Sequence, residues 1–362
     1  MFSLFKSFKQ KIFPSFLGVD IGTTSIKAVE VKQGNQLPQV VNYGFLQSSG
    51  SLLRANNVLQ TSSLKLFTEG ATELLKMIVK KMKPSTNEAV ASLPVFAVFM
   101  SVFEFPEMSE SDLEKSITFQ ARQYIPLPIS EVAIDWMKVG ERQDEKGLKY
   151  QQVLLISVPQ ELIKKYQAIF KGAGLNLRLL EIESLSLTRS LIGGDQTPTI
   201  IVDIGSRSTS ISFIEKGQLK FNVQSDYAGS TLTQALASSL SINILRAEEL
   251  KKEHGILSVG ANYELSTIML PLLDAIISEV KKAQFNYQSQ FFAPHQTERI
   301  ILSGGGANLA GIEKYFEKEF NFTVVKAAPF LRFEYPPLIE PLVNELNPVM
   351  SVALGLTLKE FT

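Results

Sequence analysis

Phe16-Leu17-Gly18-Val19-Asp20-Ile21-Gly22-Thr23-Thr24-Ser25-Ile26-Lys27-Ala28-Val29-Glu30 decides how this chain is read. Leu17, Val19 and Ile21 alternate with Gly18 and Asp20, the period of a strand. Gly22-Thr23-Thr24-Ser25 is a polar turn, and Ile26, Ala28 and Val29 lead out along a second strand. The turn carries three hydroxyls and backbone N–H groups that no bulky side chain covers, so it can nest an anion such as phosphate. Asp20 ends the first strand, where a carboxylate can hold a hydrated divalent cation. Lys27 lies just beyond and can reach a phosphate as a point charge. A single hairpin of this kind is a common surface feature.

The motif is repeated. Thr199-Ile200-Ile201-Val202-Asp203-Ile204-Gly205-Ser206-Arg207-Ser208-Thr209-Ser210-Ile211-Ser212-Phe213-Ile214-Glu215 has the same apolar run, Asp-Ile-Gly, polar turn and outgoing strand. The copies lie half a chain apart, which excludes a solenoid and predicts two related halves facing one ligand. Asp20 and Asp203 are the candidate metal-holding carboxylates. Gly22, Thr23, Thr24, Ser25 and Lys27 from one turn, and Gly205, Ser206, Arg207, Ser208 and Thr209 from the other, are the candidate phosphate contacts. A third element is Arg299-Ile300-Ile301-Leu302-Ser303 followed by Gly304-Gly305-Gly306-Ala307-Asn308. It predicts a strand, a glycine turn and a helix. Glycines there let a flat ring or a phosphate come against backbone, which adds Gly304, Gly305, Gly306 and Asn308 to the candidate site.

Composition narrows the class. The 362 residues suffice for two or more domains. Lys plus Arg and Asp plus Glu balance at 36 each, so nothing predicts a nucleic-acid partner. Without cysteine there is no disulfide framework or thiolate metal site, which suits a reducing cytoplasm. His254 and His295 are too few for a histidine zinc site. No apolar run reaches the ~18 residues of a membrane span, and no secretory signal pattern is visible.

Along the chain, residues 1–14 stand apart. In a helix over 1–13, Met1, Leu4, Phe5, Phe8 and Ile12 share a face and Lys6, Lys9 and Lys11 lie off it. Such a segment suits either an anionic membrane surface or docking on its own protein. Residues 15–94 form the first lobe: the hairpin, a strand over 39–45, a loop over 48–63, a helix over 67–81 and a strand over 89–93. Residues 95–178 read as an inserted α+β unit, with strands over 95–103, 132–139 and 150–159 and helices over 109–124 and 160–173. A helix over 179–192 crosses between halves. The second lobe spans 199–341. Its helical part, 241–290, includes helices over 246–254 and 266–291, the latter interrupted at Pro271. An extended, proline-rich stretch covers 330–341, and a final helix over 348–359 places Ala353 and Gly355 where another element can approach. Segments 179–198 and 342–362 complete the first lobe.

Asp20, Lys27, Asp203, Gly205 and Gly304-Gly305-Gly306, in this order, resemble the actin-like ATPase superfamily. The resemblance implies an α/β fold, the duplicated ribonuclease H-like ATPase fold, with two lobes around a nucleotide cleft. It implies ATP with Mg2+ as cofactor, the aspartates holding the metal or its waters and the glycine wall receiving the adenosine. Ala247-Glu248-Glu249-Leu250-Lys251 is similar to the A-E-x-L-K helix of FtsA, which implies that Glu248 and Lys251 border the nucleoside. Glu183-Ser184-Leu185 is similar to an E-P-L stretch, with Ser184 in place of proline. That match implies that Glu183 lies near the γ-phosphate and orients a water. Gln120-Ala121-Arg122-Gln123-Tyr124-Ile125-Pro126 resembles the "EA-x-x-YIP" signature of the PilM family of type IV pilus machines, with Gln120 replacing glutamate. Ala353-Leu354-Gly355-Leu356 resembles that family's closing helix.

The PilM resemblance implies a cytoplasmic ATP-binding scaffold peripheral to the inner membrane face, and at most a slow ATPase. Its partner would be the cytoplasmic N-terminus of a PilN-like inner-membrane protein, with other pilus components beside it. Three other readings compete, and intact Asp20, Lys27 and Asp203 argue against one of them, a structural relative with degenerate loops that binds no nucleotide. A small-molecule kinase needs a catalytic acid facing a second substrate, and none is apparent. An FtsA-like membrane-tethered polymer would carry its basic amphipathic helix at the C-terminus, whereas here that type of segment is N-terminal and the chain closes on Lys359-Glu360-Phe361-Thr362.

Overall fold

A computed structural model describes residues 15–47, 63–257, 263–291 and 297–361. The amphipathic segment expected over 1–13 and nearly all of the loop expected over 48–63 lie outside them. The two copies of the hairpin each nucleate a five-stranded sheet. In the first, β1 (Ser15–Ile21) is antiparallel to β2 (Ser25–Lys32), and β2 to β3 (Gln39–Gln47). On its other side β1 runs parallel to β4 (Glu88–Leu93), and β4 to β8 (Asn176–Ile182). In the second, β9 (Thr199–Ile204) is antiparallel to β10 (Thr209–Glu215), and β10 to β11 (Gln218–Ser225). There β9 runs parallel to β12 (Arg299–Ser303), and β12 to β13 (Thr323–Lys326). The orders β3-β2-β1-β4-β8 and β11-β10-β9-β12-β13 correspond strand for strand. The sequence echo is therefore an echo of topology.

Strands β1 and β4 are buried along their whole length, so both faces of the first sheet need a covering layer. On one face Leu17, Val19 and Ile21 pack with Leu75 and Ile78 of α1 (Ser63–Met82) and with Ile169 and Phe170 of α3 (Gln160–Gly172). On the other, Val29 and Val31 pack with Met350, Ala353 and Leu354 of α9 (Val343–Leu358). The second lobe adds α5 (Gly229–Ser239), α6 (Ile244–His254), α7 (Tyr263–Phe291) and α8 (Ile312–Phe320).

The inserted unit is a three-stranded antiparallel sheet, β5 (Phe99–Pro106), β7 (Lys149–Pro159) and β6 (Val132–Gln143), in that order. Helix α2 (Glu110–Tyr124) covers one face through Leu113, Ile117 and Ala121. Ser109 caps that helix, its hydroxyl accepting the Asp112 N–H at 3.2 Å.

The chain passes from the first sheet to the second through α4 (Glu183–Leu191) and returns through α9. These helices touch at small residues. A Cβ on Gly355 would stand 2.1 Å from the Ser186 carbonyl oxygen, and one on Gly18 would stand 2.1 Å from that of Ala353. Buried Glu181 accepts from Arg189 at 2.6 Å and from Lys359 at 3.2 Å, and Arg189 also donates to the Gly355 carbonyl at 2.8 Å. One carboxylate thus ties β8, α4 and the end of α9 together. Burial raises its pKa, but the two cations outweigh burial and hold it below the usual value.

Several expectations are corrected. The helix expected over 179–192 is a strand through Ile182 and a helix only from Glu183. A short apolar run reads alike as buried strand and as buried helix. Helix α3, grouped by sequence with the inserted unit, lies against α1, and Asn176–Arg178, grouped the same way, open the strand β8 that pairs with β4. Helix α7 runs through Pro271 because the turns beyond it are anchored by buried Leu273, Ile276, Ile277 and Val280. The stretch expected to be extended over 330–341 contains two 3-10 turns, Pro329–Arg332 and Pro337–Leu342, and α9 begins at Val343, ahead of Pro348.

The glycine contacts are testable by melting. Gly18→Ala forces a methyl onto a backbone oxygen and should destabilise by about 1–3 kcal/mol, lowering the melting temperature by several degrees. Gly70 lies in α1 with nothing within 4 Å of an added Cβ, so Gly70→Ala should stabilise by about 0.5–1 kcal/mol. Equal shifts in the two variants would contradict the packing described.

Candidate functional site

Register places the first charged pair. Asp20 stands opposite Lys27 across β1 and β2, and the ammonium donates to its carboxylate at 2.8 Å. The turn is closed by the Gly22 N–H on the Ser25 carbonyl at 2.9 Å. The second turn is built the same way, Gly205 N–H to Ser208 carbonyl at 3.0 Å. There Ser210 stands opposite Asp203, so the duplication kept two aspartates and one lysine.

Each aspartate has a serine beside it on the parallel neighbour strand. The Ser92 hydroxyl of β4 donates to Asp20 at 2.7 Å. Ser303 of β12 is paired with Asp203 in register, and its hydroxyl faces that carboxylate. Sequence reasoning missed both serines. Their common signal is position: each sits near the end of the strand beside the hairpin, just before a turn.

The hairpins face each other. Lys27 is subject to Asp20 first, then to Asp203 and Glu183; burial works against its charge, and the acids outweigh burial and raise its pKa. Burial pushes the Asp203 carboxyl up to about 6, with a further push from Asp20, while Ser303 and Lys27 pull it back. Glu183 opens α4 and is raised well above the usual carboxylate range by burial, then by Asp20 and Asp203. Lys27 and the Val95 backbone amide only partly offset this. The Tyr166 hydroxyl of α3 is fully buried, has no hydrogen-bond partner and lies in the field of Glu183 and Asp20. The cleft therefore gathers three acids around one lysine, drawn from both sheets and from α4.

The second hairpin carries a further shelf. Gly229 N–H donates to the Gly205 carbonyl at 3.0 Å and Ser230 N–H to that of Ser206 at 2.7 Å, docking the start of α5 on the turn. The Ser230 hydroxyl is buried and has no partner. Lys251 donates to the Gly229 carbonyl at 3.0 Å, to Thr233 at 2.8 Å and to Glu248 at 2.6 Å. Glu248 and Lys251 thus neutralise each other while fastening α6 to α5.

The glycine turn closes the floor. A Cβ on Gly304 would stand 2.5 Å from the Ile204 carbonyl oxygen and 3.0 Å from an Asp203 carboxylate oxygen, and one on Gly306 would meet the Ile204 side chain at 2.3 Å. Gly304 also has φ 80°. Gly305 is exposed with nothing within 4 Å, so its face is open to a flat group. Two further predicted side chains are engaged within the protein: Thr209 donates to the Tyr227 carbonyl at 2.7 Å and Asn308 to that of Glu345 at 2.8 Å. Thr23 and Thr24 lie on the first turn and Ser206, Arg207 and Ser208 on the second, while Ser25 opens β2.

The donor set suits a metal-bound nucleotide. Opposed carboxylates and a lysine can meet a hydrated cation and phosphates, buried Ser230 offers an unmatched hydroxyl, and Gly305 presents bare backbone. No cluster of three metal-ligating side chains occurs among the described residues.

A profile of the family described as "Type IV pilus assembly protein PilM" matches residues 18–361. Curated relatives include cell division protein FtsA of Enterococcus faecalis, 20% identical over 351 residues, 87% of this chain and 78% of that one. FtsA of Enterococcus hirae is 22% identical over 350 residues, with the same coverage. Among solved structures, a "PilM-PilN type IV pilus biogenesis complex" chain superposes with TM-score 0.80 at 22% identity, covering 96% of this chain and 98% of that one. MreB5 of Spiroplasma citri bound to AMPPNP superposes with TM-score 0.54 at 15% identity, covering 96% of each chain. The fold is actin-like.

The raised Asp203 carboxyl has a consequence for stability. The folded chain binds that proton more tightly than the unfolded chain, whose carboxyl titrates near 3.8. Folding is therefore penalised above about pH 6, and the penalty fades as pH falls from 6 toward 4. In the ligand-free protein, Asp203→Asn should stabilise at pH 7.5 by on the order of 2 kcal/mol, with the gap closing toward pH 4. Melting curves at the two pH values measure this; equal stability at pH 7.5 would contradict the electrostatics.

Proposed function

The chain belongs to the PilM family of type IV pilus assembly proteins, and from that premise we propose that it is an ATP-binding scaffold at the inner face of the cell membrane. Its inserted unit would grip the cytoplasmic N-terminal segment of a PilN-like membrane protein. The observation that carries the reading is the convergence of Asp20 and Lys27 from one sheet with Asp203 from the other in a single cleft. In this reading Asp20 and Asp203 hold Mg2+ through its waters, and the two turns take the phosphates through backbone N–H groups, Lys27 and the turn hydroxyls. Gly304, Gly305 and Gly306 receive the adenine, and the Glu248–Lys251 pair supports the nucleoside side. In the same reading Glu183 would orient a water.

The partner reading rests on the inserted unit. Between β5 and α2 lies a groove of about 430 Å³ lined by Phe105, Pro106, Met108, Phe119 and Gln120 among others. Phe119 is 61% exposed, and the buried side-chain oxygen of Gln120 has no donor. Apolar walls with one unmatched acceptor suit an extended apolar peptide bringing a backbone N–H. The structurally similar chain was solved as a "PilM-PilN type IV pilus biogenesis complex", and no described helix is long and apolar enough to cross a membrane. Membrane attachment would then come through the partner, with residues 1–13 as a second contact.

Titration calorimetry with Mg–ATP tests the cleft. Asp20→Ala and Asp203→Ala should each weaken metal-dependent binding at least tenfold, about 1.4 kcal/mol; unchanged affinity in both would remove the site. Pull-down with the cytoplasmic N-terminal peptide of the PilN-like protein tests the groove. Phe119→Glu should abolish capture without lowering the melting temperature, and undiminished capture would place the partner elsewhere.

A further inference from the structure

Lys220 is a lysine of the edge strand β11, yet it is only 6% exposed. Its ammonium leaves the second lobe and enters the inserted unit, donating to the Val139 carbonyl and, at 3.3 Å, to the Gln152 side-chain oxygen. The seat is a β-bulge: β6–β7 pairing shifts between Lys138 and Gly140, which frees the Val139 carbonyl from the ladder. Gly140 makes room, since a Cβ there would stand 2.2 Å from the ammonium nitrogen. Gln152 passes the contact on, donating to Glu104 at 3.0 Å, and Arg142 clamps Glu104 with bonds of 2.7 Å and 3.0 Å. One cation from the second sheet is thus built into a polar network across all three strands of the inserted sheet. Burial holds its pKa down to about 8 despite the pull of Glu215, with Lys216 adding to the depression. A buried charge is a poor way to gain stability, so its placement calls for another reason.

Connectivity supplies one. The inserted unit is rooted in the first lobe at β4 and α3, whereas Lys220 belongs to the second sheet. If the sheets rotate about α4 and α9, Lys220 must leave its seat or the inserted unit must follow. A ligand spanning Asp20 and Asp203 sets the separation of the same two sheets. We propose that Lys220, seated in the Val139–Gly140 bulge, is a latch that sets the spacing of the two lobes and couples cleft closure to the position of the inserted unit. The proposal rests on the reading of the cleft as a nucleotide site. A latched protein meets its nucleotide with the cleft already set, whereas an unlatched one binds with affinity reduced by the fraction that is closed.

The chain has no cysteine, so spin labels can be placed at will. Lys146→Cys in the inserted unit and Lys314→Cys in α8 are both exposed and report the spacing across the latch by double electron–electron resonance. Lys220→Met removes the cation but keeps the buried methylenes; Gly140→Ala fills the seat. Each should broaden the distance distribution in the full-length chain and weaken Mg–AMPPNP binding about tenfold by calorimetry. The double variant should be no worse than either single one, because both break one contact. A Lys220→Met protein with unchanged distances and affinity, or a fully additive double variant, would overturn the latch. If Gly140→Ala does not fold, Lys220→Met decides alone. A wild type that binds no Mg–AMPPNP would overturn the nucleotide reading itself, while the distances would still judge the latch.

Discussion

Three carboxylates and one ammonium share a cleft that shields them from bulk water: Asp20 and Lys27 from one sheet, Asp203 from the other, and Glu183 from the helix joining them. Like charges repel more strongly as water is withdrawn. The cleft responds by holding protons: burial pushes the Asp203 carboxyl up to about 6 and raises that of Glu183 well above the usual carboxylate range. An added cation would relieve the same strain. The surrounding fold works to keep these groups close despite their repulsion.

It does so in two ways. Each aspartate is fixed from within its own sheet, because a serine of the parallel neighbour strand holds or faces its carboxylate. The sheets are fixed to each other by α4 and α9, which approach at Gly355 and Ser186 closely enough to exclude any side chain between them. The ion network of Glu181, Arg189 and Lys359 ties the ends of that joint. Between the sheets, Val90 and Leu179 of the first and Ile201 and Ile301 of the second share one buried cluster with Leu187, Val352 and Leu356, so the joint follows the two helices. Motion of the lobes about it is an expectation of the geometry.

The inserted unit gives such motion an output. It grows from the first sheet yet shares its core with β11 and α7 of the second lobe, Val139 and Leu154 lying in one apolar cluster with Leu219 and Tyr287. A groove for a partner on this unit, a cleft for a nucleotide between the sheets, and Lys220 bridging the two would form one mechanical circuit.

Much of this was legible in the sequence because it is local. Asp20, the glycine turn and Lys27 fall within one hairpin, and two strands with a tight turn leave little choice of register, so the Asp20–Lys27 pair follows from the order of residues. The repeat at Asp203, the glycines at 304–306 and the small residues of the closing helix could be read the same way. Ser92 and Ser303 could not, since parallel strands pair across long connections and nothing nearby records which residues meet. The run at 179–182 reads as helix for a related reason, a buried parallel strand having no polar alternation to separate it from one. Lys220 was the least legible, an ordinary surface lysine by sequence. Only the packing of β11 on a bulge in another unit takes it out of water, because burial is a property of the assembled fold and not of the residue.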